Sequence, residues 1–501
     1  MSAPAATPAL MIQGTGSHVG KSLLVAGLCR AFVRRGLRVR PFKPQNMSNN
    51  AGLAALPDEP GFGEIGRAQI LQAQACGVPP GVDMNPVLLK PQGERTAQAI
   101  VQGRVWRTVS AGDWRNLRAE LLPRVMESFA RLSADADIVM VEGAGSPAEV
   151  NLRLGDIANM GFAIPARVPV VLVGDIDRGG VLAALVGTWN LLDAAERALI
   201  GGFIVNKFRG DPALFADGPA VVTAATGLRA FGVVPYLAEA AALPAEDSVS
   251  LDSAVYGPPA GGAKIKIAVP KLPRVSNFDD LDPLRAEPEV EIVFVPPGRP
   301  LPRDADVVLL AGSKATLADL AALRAEGWHV DIAAHVRAGG TVVGLCGGFQ
   351  MLGTRISDPR GVEGPPGGAA GLGLLAIETT LGEAKTLRPA QGRAVAGGEM
   401  ISGFEMHMGE TTGAGLARPW LVLDDGRRDG AVSADGRIMG GYVHGLFASD
   451  SFRRGFLARL GATASDDSFA ARIDAALDGI AARLEESLDV AGLLALARSR
   501  R

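Results

Sequence analysis

Short, wholly apolar runs recur along the first half of the chain, at Ile138-Val139-Met140-Val141, Val170-Val171-Leu172-Val173, Gly202-Phe203-Ile204-Val205 and Gly232-Val233-Val234. Longer stretches with helical patterning separate them. A strand that is apolar on both faces must be covered on both, so this alternation predicts a parallel sheet with crossover helices on either side. A second series, Ile265-Lys266-Ile267-Ala268-Val269, Glu291-Ile292-Val293-Phe294-Val295, Val307-Val308-Leu309-Leu310 and Thr341-Val342-Val343-Gly344-Leu345, predicts a second, mostly parallel sheet. Between the two series, after Leu243-Pro244-Ala245-Glu246-Asp247, periodicity is lost around Gly257-Pro258-Pro259-Ala260-Gly261-Gly262, a composition that marks a linker. Beyond a glycine-rich loop at 361–373, Phe469, Ile473, Leu477, Ile480, Leu484 and Leu488 recur at helical spacing and predict a packed amphipathic helix. No repeat of fixed period is present.

The length of 501 residues exceeds what one hydrophobic core holds, since domains take roughly 100–200 residues each, and two large domains are expected. A content of 48% hydrophobic and 21% charged residues is globular, and a net charge of −3 gives no footprint for nucleic acid or an anionic membrane. Small molecules are therefore the expected partners, with homo-oligomerisation left open. Cys29, Cys76 and Cys346 are too dispersed for a metal cluster and too few for a disulfide framework, which fits a reducing cytosol. The residues from Met1 to Leu10 show no basic stretch followed by an apolar core, and no apolar run approaches the roughly 20 residues of a membrane helix. The expected location is the cytoplasm.

Two pieces of chemistry change this picture. The first is Gly14-Thr15-Gly16-Ser17-His18-Val19-Gly20-Lys21-Ser22, between a strand ending at Met11-Ile12 and a helix beginning Ser22-Leu23-Leu24. Gly14, Gly16 and Gly20 let backbone N–H groups approach phosphate, Lys21 adds a cation, and the Ser22 hydroxyl is placed to bind the Mg²⁺ that accompanies a triphosphate. Five residues separate Gly14 from Gly20 and Thr15 stands at the ordinary first glycine position, so the loop resembles the variant found in dethiobiotin synthetase-like ATPases.

A carboxylate at a later strand end is the expected second metal contact, and Val139-Met140-Val141-Glu142-Gly143-Ala144-Gly145 supplies Glu142. Lys43, in Arg40-Pro41-Phe42-Lys43-Pro44-Gln45-Asn46, follows another strand, where a cation can steady a transferred phosphoryl group. Asp175 and Asp177, in Gly174-Asp175-Ile176-Asp177-Arg178-Gly179-Gly180, also sit past a strand at the edge where ligands collect, as substrate-side groups or as caps of the next helix.

The second piece is Gly344-Leu345-Cys346-Gly347-Gly348. A tight turn there, between the strand 341–345 and a helix beginning near Phe349, would expose the Cys346 sulfur for attack on an amide. Its base is expected to be His444, in Gly441-Tyr442-Val443-His444-Gly445, the best placed of the five histidines. Backbone N–H groups near Gly312 and Gly347 would hold the oxyanion. Cys29 and Cys76, within helical patterns, read as core.

Energy from a nucleotide and nitrogen from glutamine in one chain describe an amide-forming ligase. The motifs Gln13-Gly14-Thr15, Lys43-Pro44-Gln45-Asn46-Met47-Ser48-Asn49-Asn50, Gly66-Arg67-Ala68-Gln69, Asn85-Pro86-Val87-Leu88-Leu89-Lys90-Pro91, Glu142-Gly143-Ala144-Gly145-Ser146, Gly312-Ser313-Lys314 and Glu405-Met406-His407-Met408-Gly409 sharpen this. Together they resemble the cobyric acid synthase family, the glutamine-hydrolysing amidotransferases of cobalamin biosynthesis.

The resemblance implies an α/β protein in which a P-loop, dethiobiotin synthetase-like, doubly wound parallel sheet domain precedes a class I glutamine amidotransferase-like α/β domain. The boundaries read from it are 1–245 for the amidoligase domain, 246–262 for the linker, 263–455 for the cobalamin-type amidotransferase domain and 456–501 for a C-terminal helical segment. It implies ATP and Mg²⁺, L-glutamine and adenosylcobyrinic a,c-diamide, and amidation of the b, d, e and g carboxylates. Carried over by residue, Cys346 is the nucleophile with His444 its partner. Lys21, Ser22, Lys43 and Glu142 surround phosphates and metal, Glu64 is an acidic metal contact, and Asn206 in Ile204-Val205-Asn206-Lys207 recognises adenine. Class I members commonly have His-x-Glu, whereas Leu446 stands two beyond His444, so the orienting group of His444 is unassigned. Cobyrinic acid a,c-diamide synthase, with the same domain pair, is the alternative; a non-catalytic ATP-binding scaffold is a more distant one.

Overall fold

The computed structural model describes residues 6–93, 95–110, 112–244 and 263–499. The linker expected at 246–262 lies outside the described residues. The first predicted sheet has six parallel strands in the order Arg229–Pro235, Ile200–Phe208, Val170–Asp175, Ala9–Gly14, Ile138–Glu142, Val39–Phe42. Strands Val170–Asp175 and Ile138–Glu142 are buried along their whole length, as their apolar composition requires. Ala9–Gly14 lies between them, where the direction of strand addition reverses, and a doubly wound sheet opens its ligand crevice at that reversal.

The chain from Gln45 to Ser110 adds pieces that the apolar pattern did not announce. One sheet comprises Gln45–Met47, Val87–Pro91, Thr96–Val101 and Arg104–Ser110, and Ala51–Ala55 forms a hairpin with Phe62–Gly66. Gln45–Met47 is only three residues long and Arg104–Ser110 is largely exposed, so neither carries the all-apolar signature.

In the second half, Val290–Val295, Ile265–Pro270, Val307–Leu310, Thr341–Leu345 and Ile438–Gly441 lie side by side and parallel, with Ala431–Val432 antiparallel at the edge. A further sheet is built on the antiparallel pair Glu378–Ala394 and Met400–Thr412, which also carries the two-residue strand Val443–His444. The expected fold class, two successive α/β units with mostly parallel sheets, is the one observed.

The amphipathic helix expected near the end is Phe469–Ser487, followed by Val490–Arg498. Both pack on the first domain. Ile473, Leu477, Ile480, Leu484 and Leu493 share one core with Leu10, Ile12, Leu24, Val25 and Leu28, and Arg30 pairs with Asp474 at 2.6 Å. A Cβ on Gly27 would lie 2.5 Å from Leu484 Cδ1, so the two helices approach to contact at a glycine. Helix Asp450–Arg459 runs unbroken across the 455/456 boundary drawn from the sequence.

The two domains share a buried contact. Ala51, Leu88 and Ile100 of the first meet Met406 of the second, flanked by Leu387 and Phe404. Beside it Glu64 is enclosed by Lys90, at 2.9 Å, and by Lys385 from the second domain. Burial alone would raise the Glu64 pKa, but the two ammonium groups outweigh it and hold the carboxyl at about 2. Burial and the neighbouring Lys90 and Lys314 cations leave Lys385 at about 8, although Glu64 opposes them.

Candidate active site

The phosphate loop follows Ala9–Gly14, and the helix it introduces, Lys21–Arg34, starts at the lysine. Gly20 has φ 94°, a left-handed backbone that suits glycine and turns the chain into the helix. The Lys21 Nζ donates to the carbonyls of Gly16 (3.0 Å) and Gly145 (2.9 Å), bridging the loop to the turn after Ile138–Glu142. Glu142, almost fully buried, is the hub: its Oε1 accepts from Ser22 Oγ at 2.7 Å and Lys43 Nζ at 2.8 Å, and its Oε2 from Gln72 Nε2 at 2.6 Å. Sequence reading had not found Gln72, because a glutamine inside a helix carries no motif. Lys21, Ser22, Lys43 and Glu142 line a cleft of about 700 Å³, whose wall also includes Met47, Arg67, Ser146, Leu152 and Arg153.

Cys346 sits at the bend between Thr341–Leu345 and the helix Gly347–Leu352, with φ 52° and ψ −109°. A non-glycine residue in this region is strained, and such bends present a side chain at the mouth of a sheet. Its N–H donates to Gly441 O at 2.9 Å and its Sγ lies 3.5 Å from Met406 O. His444 is buried, stacked on Phe404 with ring centroids 5.4 Å apart, and Cys346 is among the groups that favour its protonated form.

The third support of His444 is Asp280. Its Oδ2 lies 2.7 Å from His444 Nδ1, and its Oδ1 accepts the Gly445 N–H at 2.6 Å. Burial pulls the His444 pKa down, but the Asp280 charge and hydrogen bond, with Cys346 adding to them, leave it well above 6.5. Asp280 belongs to the short turn Phe278–Leu281. Its signal was present as Ser276-Asn277-Phe278-Asp279-Asp280, an acidic polar stretch between two apolar strands.

Residues 266–452 match the family described as the CobB/CobQ-like glutamine amidotransferase domain, and residues 10–251 match the CobQ/CobB/MinD/ParA nucleotide binding domain. The chain is 60% identical to a cobyric acid synthase of Rhizorhabdus wittichii, across 98% of this chain and 99% of that protein. Identity is 59% to a cobyric acid synthase of Novosphingobium aromaticivorans, over 98% of each, and 60% to that of Methylocella silvestris, over 97% of this chain and 100% of the other. This chain belongs to the cobyric acid synthase family.

As a cobyric acid synthase-family ligase it joins a nucleotide-binding domain to a glutamine amidotransferase domain. Not every expected residue gathers at the two centres. Glu64, expected at the metal, is corrected by its position: it is fully buried between Lys90 and Lys385 at the domain contact and is absent from the cleft wall that Ser22 and Glu142 form. Asn206 flanks the phosphate loop, donating from Nδ2 to Val19 O at 2.8 Å, so its amide N–H supports the loop. The Thr15 N–H donates to Val173 O at 2.9 Å, anchoring the loop to the next strand, while Gly16 faces open space.

Asp175 and Asp177 make local ion pairs instead of lining the cleft, Asp175 with Lys207 at 2.8 Å and Asp177 with Arg209 at 2.8 Å. Gly312 and Gly347 do come together with the cysteine: Gly347 opens its helix, and a Cβ there would lie 2.8 Å from Ser313 N. A Cβ on Gly312 would lie 3.5 Å from His444 Cε1. Cys29 and Cys76 are buried in helices, as read from the sequence. His407, stacked on Tyr442 at 3.7 Å, is held neutral by burial, with a pKa of about 4.

Proposed function

We propose that the chain amidates the b, d, e and g carboxylates of adenosylcobyrinic a,c-diamide to give adenosylcobyric acid, consuming ATP and L-glutamine. The observation that carries this reading is the near-complete match, across 98% of the chain, to cobyric acid synthases. A carboxylate is a poor electrophile in water, so activation comes first: the corrinoid carboxylate takes the γ-phosphoryl group of ATP, releasing ADP and leaving an acyl phosphate. Lys21 and the N–H groups of Gly14, Gly16 and Gly20 hold the phosphates, Thr15 fixes the loop, and Lys43 neutralises the charge that spreads over the transferred group. Asn206 keeps the loop in shape and offers its carbonyl oxygen to the base.

The Ser22 hydroxyl and the Glu142 carboxylate, 2.7 Å apart, are hard oxygen donors that suit Mg²⁺. When bound, the ion would neutralise phosphate charge, with Lys43 and Gln72 steadying the carboxylate that holds it.

In the second domain, His444 takes the Cys346 proton as sulfur attacks the glutamine side-chain carbonyl, and the oxyanion rests on N–H groups of Gly312 and Gly347. His444 returns the proton to the departing ammonia. Water, deprotonated by His444, then hydrolyses the thioester to glutamate. Asp280 keeps the Nδ1 proton in place, so that the other ring nitrogen serves sulfur and water. Ammonia attacks the acyl phosphate, and phosphate leaves.

These reactants belong to the cytoplasm, and no described helix is long and apolar enough to cross a membrane. The deciding experiment is mass spectrometry of corrinoid products formed with ATP and glutamine. Amides at b, d, e and g support the reading; amidation confined to a and c, or no ATP and glutamine consumption, overturns it.

A further inference from the structure

The carboxylate that orients His444 is carried by a turn of the second domain that is moored to the first. Asn277, at φ 50°, donates from Nδ2 to Ala51 O at 3.2 Å, while the Ala51 N–H reaches Asn277 Oδ1 at 3.5 Å. Asp279 Oδ2 lies 2.8 Å from Arg67 Nε. Asp280, next in sequence, turns to the opposite side and holds His444 and Gly445. Thus the residues on either side of Phe278 are fixed by the synthetase domain, and the residue after them by the glutaminase site.

The mooring points are themselves joined to the nucleotide cleft. Ala51 pairs with Gly66 in the hairpin that runs directly into Arg67, the first residue of helix Arg67–Cys76. Arg67 lines the cleft with Ser22, Lys43 and Glu142, and Gln72, further along the same helix, touches Glu142. A guanidinium has five donors in a rigid fork, so one side can meet an anion in the cleft while the other keeps Asp279.

We infer that Arg67 and Asp279 are positioning residues that make glutamine hydrolysis answer to the occupancy of the nucleotide cleft. An anionic group bound beside Arg67, a phosphate or a corrinoid carboxylate, orders the guanidinium. The ordered pair fixes Asp279, and with it the turn that places Asp280 against His444. Orientation tolerances in such a site are on the order of 0.5 Å, so a turn held by one ion pair and one amide clasp is enough to govern rate. Ammonia is then released when an acceptor is present to consume it. This inference rests on the proposed amidation.

The test uses the full-length protein and measures glutamate release with and without ATP plus corrinoid, alongside corrinoid amidation supported by ammonium. In the parent protein, ATP plus corrinoid should raise the kcat of glutamine hydrolysis about tenfold. Asp279→Asn should remove that rise, lowering the stimulated kcat about tenfold with glutamine KM changed less than about twofold, and ammonium-supported amidation should persist. Arg67→Lys, which keeps the cation, should retain part of the rise. Asp279→Asn with the full stimulation overturns the inference. So does equal loss of the glutamine- and ammonium-supported reactions, which marks a general folding defect. Absence of any corrinoid amidation by the parent protein overturns the function instead.

Discussion

Asp280 Oδ2 lies 2.7 Å from His444 Nδ1, although 164 positions of sequence separate the two residues. The pair supplies what Leu446 withholds. A carboxylate two residues after the histidine would be local and easy to read; here it comes from a turn near the start of the second domain, and it does the same physical work of fixing the ring tautomer.

Asp280→Asn should therefore lower glutamine-supported kcat by about 10²–10⁴-fold while ammonium-supported synthesis is spared. Asp280 raises the His444 pKa, so removing its charge weakens the imidazole as a base and moves its titration to lower pH. The check is a pH profile of glutamate release, expected to shift toward acid; an unchanged profile with unchanged rate would count against the assignment.

Cys346→Ala should abolish glutamate formation and glutamine-supported amidation, yet leave the reaction intact with high ammonium. The measurement is corrinoid product formed with each nitrogen donor. Continued use of glutamine by this variant removes Cys346 from the role of nucleophile.

Glu142→Ala and Lys21→Ala act before the nitrogen donor matters. Each should lower synthesis by about 10²–10³-fold with glutamine and ammonium alike, because phosphoryl-group stabilisation is lost ahead of the branch. Comparing the two donors in parallel checks this, and a defect limited to glutamine would contradict placement at the phosphates.

Glu64→Gln tests the interdomain cluster. Removing the carboxylate leaves Lys90 and Lys385 buried without their counter-charge, which should cost about 3–5 kcal/mol of stability in denaturant unfolding. Glu64 has a folded pKa of about 2 against an ordinary 4.5, so its stabilisation is present above pH 4.5 and is lost as pH falls through 2. The Gln variant should show a weaker loss across that acid window, whereas a variant of parental stability and altered Mg²⁺ dependence would restore Glu64 to the metal.

The parallel strands were legible because full burial on both faces forces an unbroken apolar run, as in Val170–Asp175. The phosphate loop and the Cys346 turn were legible because backbone geometry there restricts residue choice locally. Glu142 and Lys43 followed from their places at strand ends. The long pair Glu378–Ala394 and Met400–Thr412 was not seen, since its exposed and buried positions alternate irregularly around a register shift between Thr380 and Lys385. Glu64 was misplaced because a buried carboxylate beside two lysines and one beside a metal look alike in sequence. Asp280 was missed because its meaning depends on His444, and nothing nearby refers to it.

The helices Phe469–Ser487 and Val490–Arg498 lie on the helix that follows the phosphate loop, so a surface made among the first residues is sealed by some of the last. On the ribosome, Leu24, Val25 and Leu28 emerge long before Ile480 and Leu484 exist to cover them. The nucleotide fold is thus finished only after the amidotransferase fold has been translated, and a product cut short before residue 469 presents a raw apolar face to proteases and chaperones. Completion of the ATP-using half certifies that the ammonia-producing half has already been made.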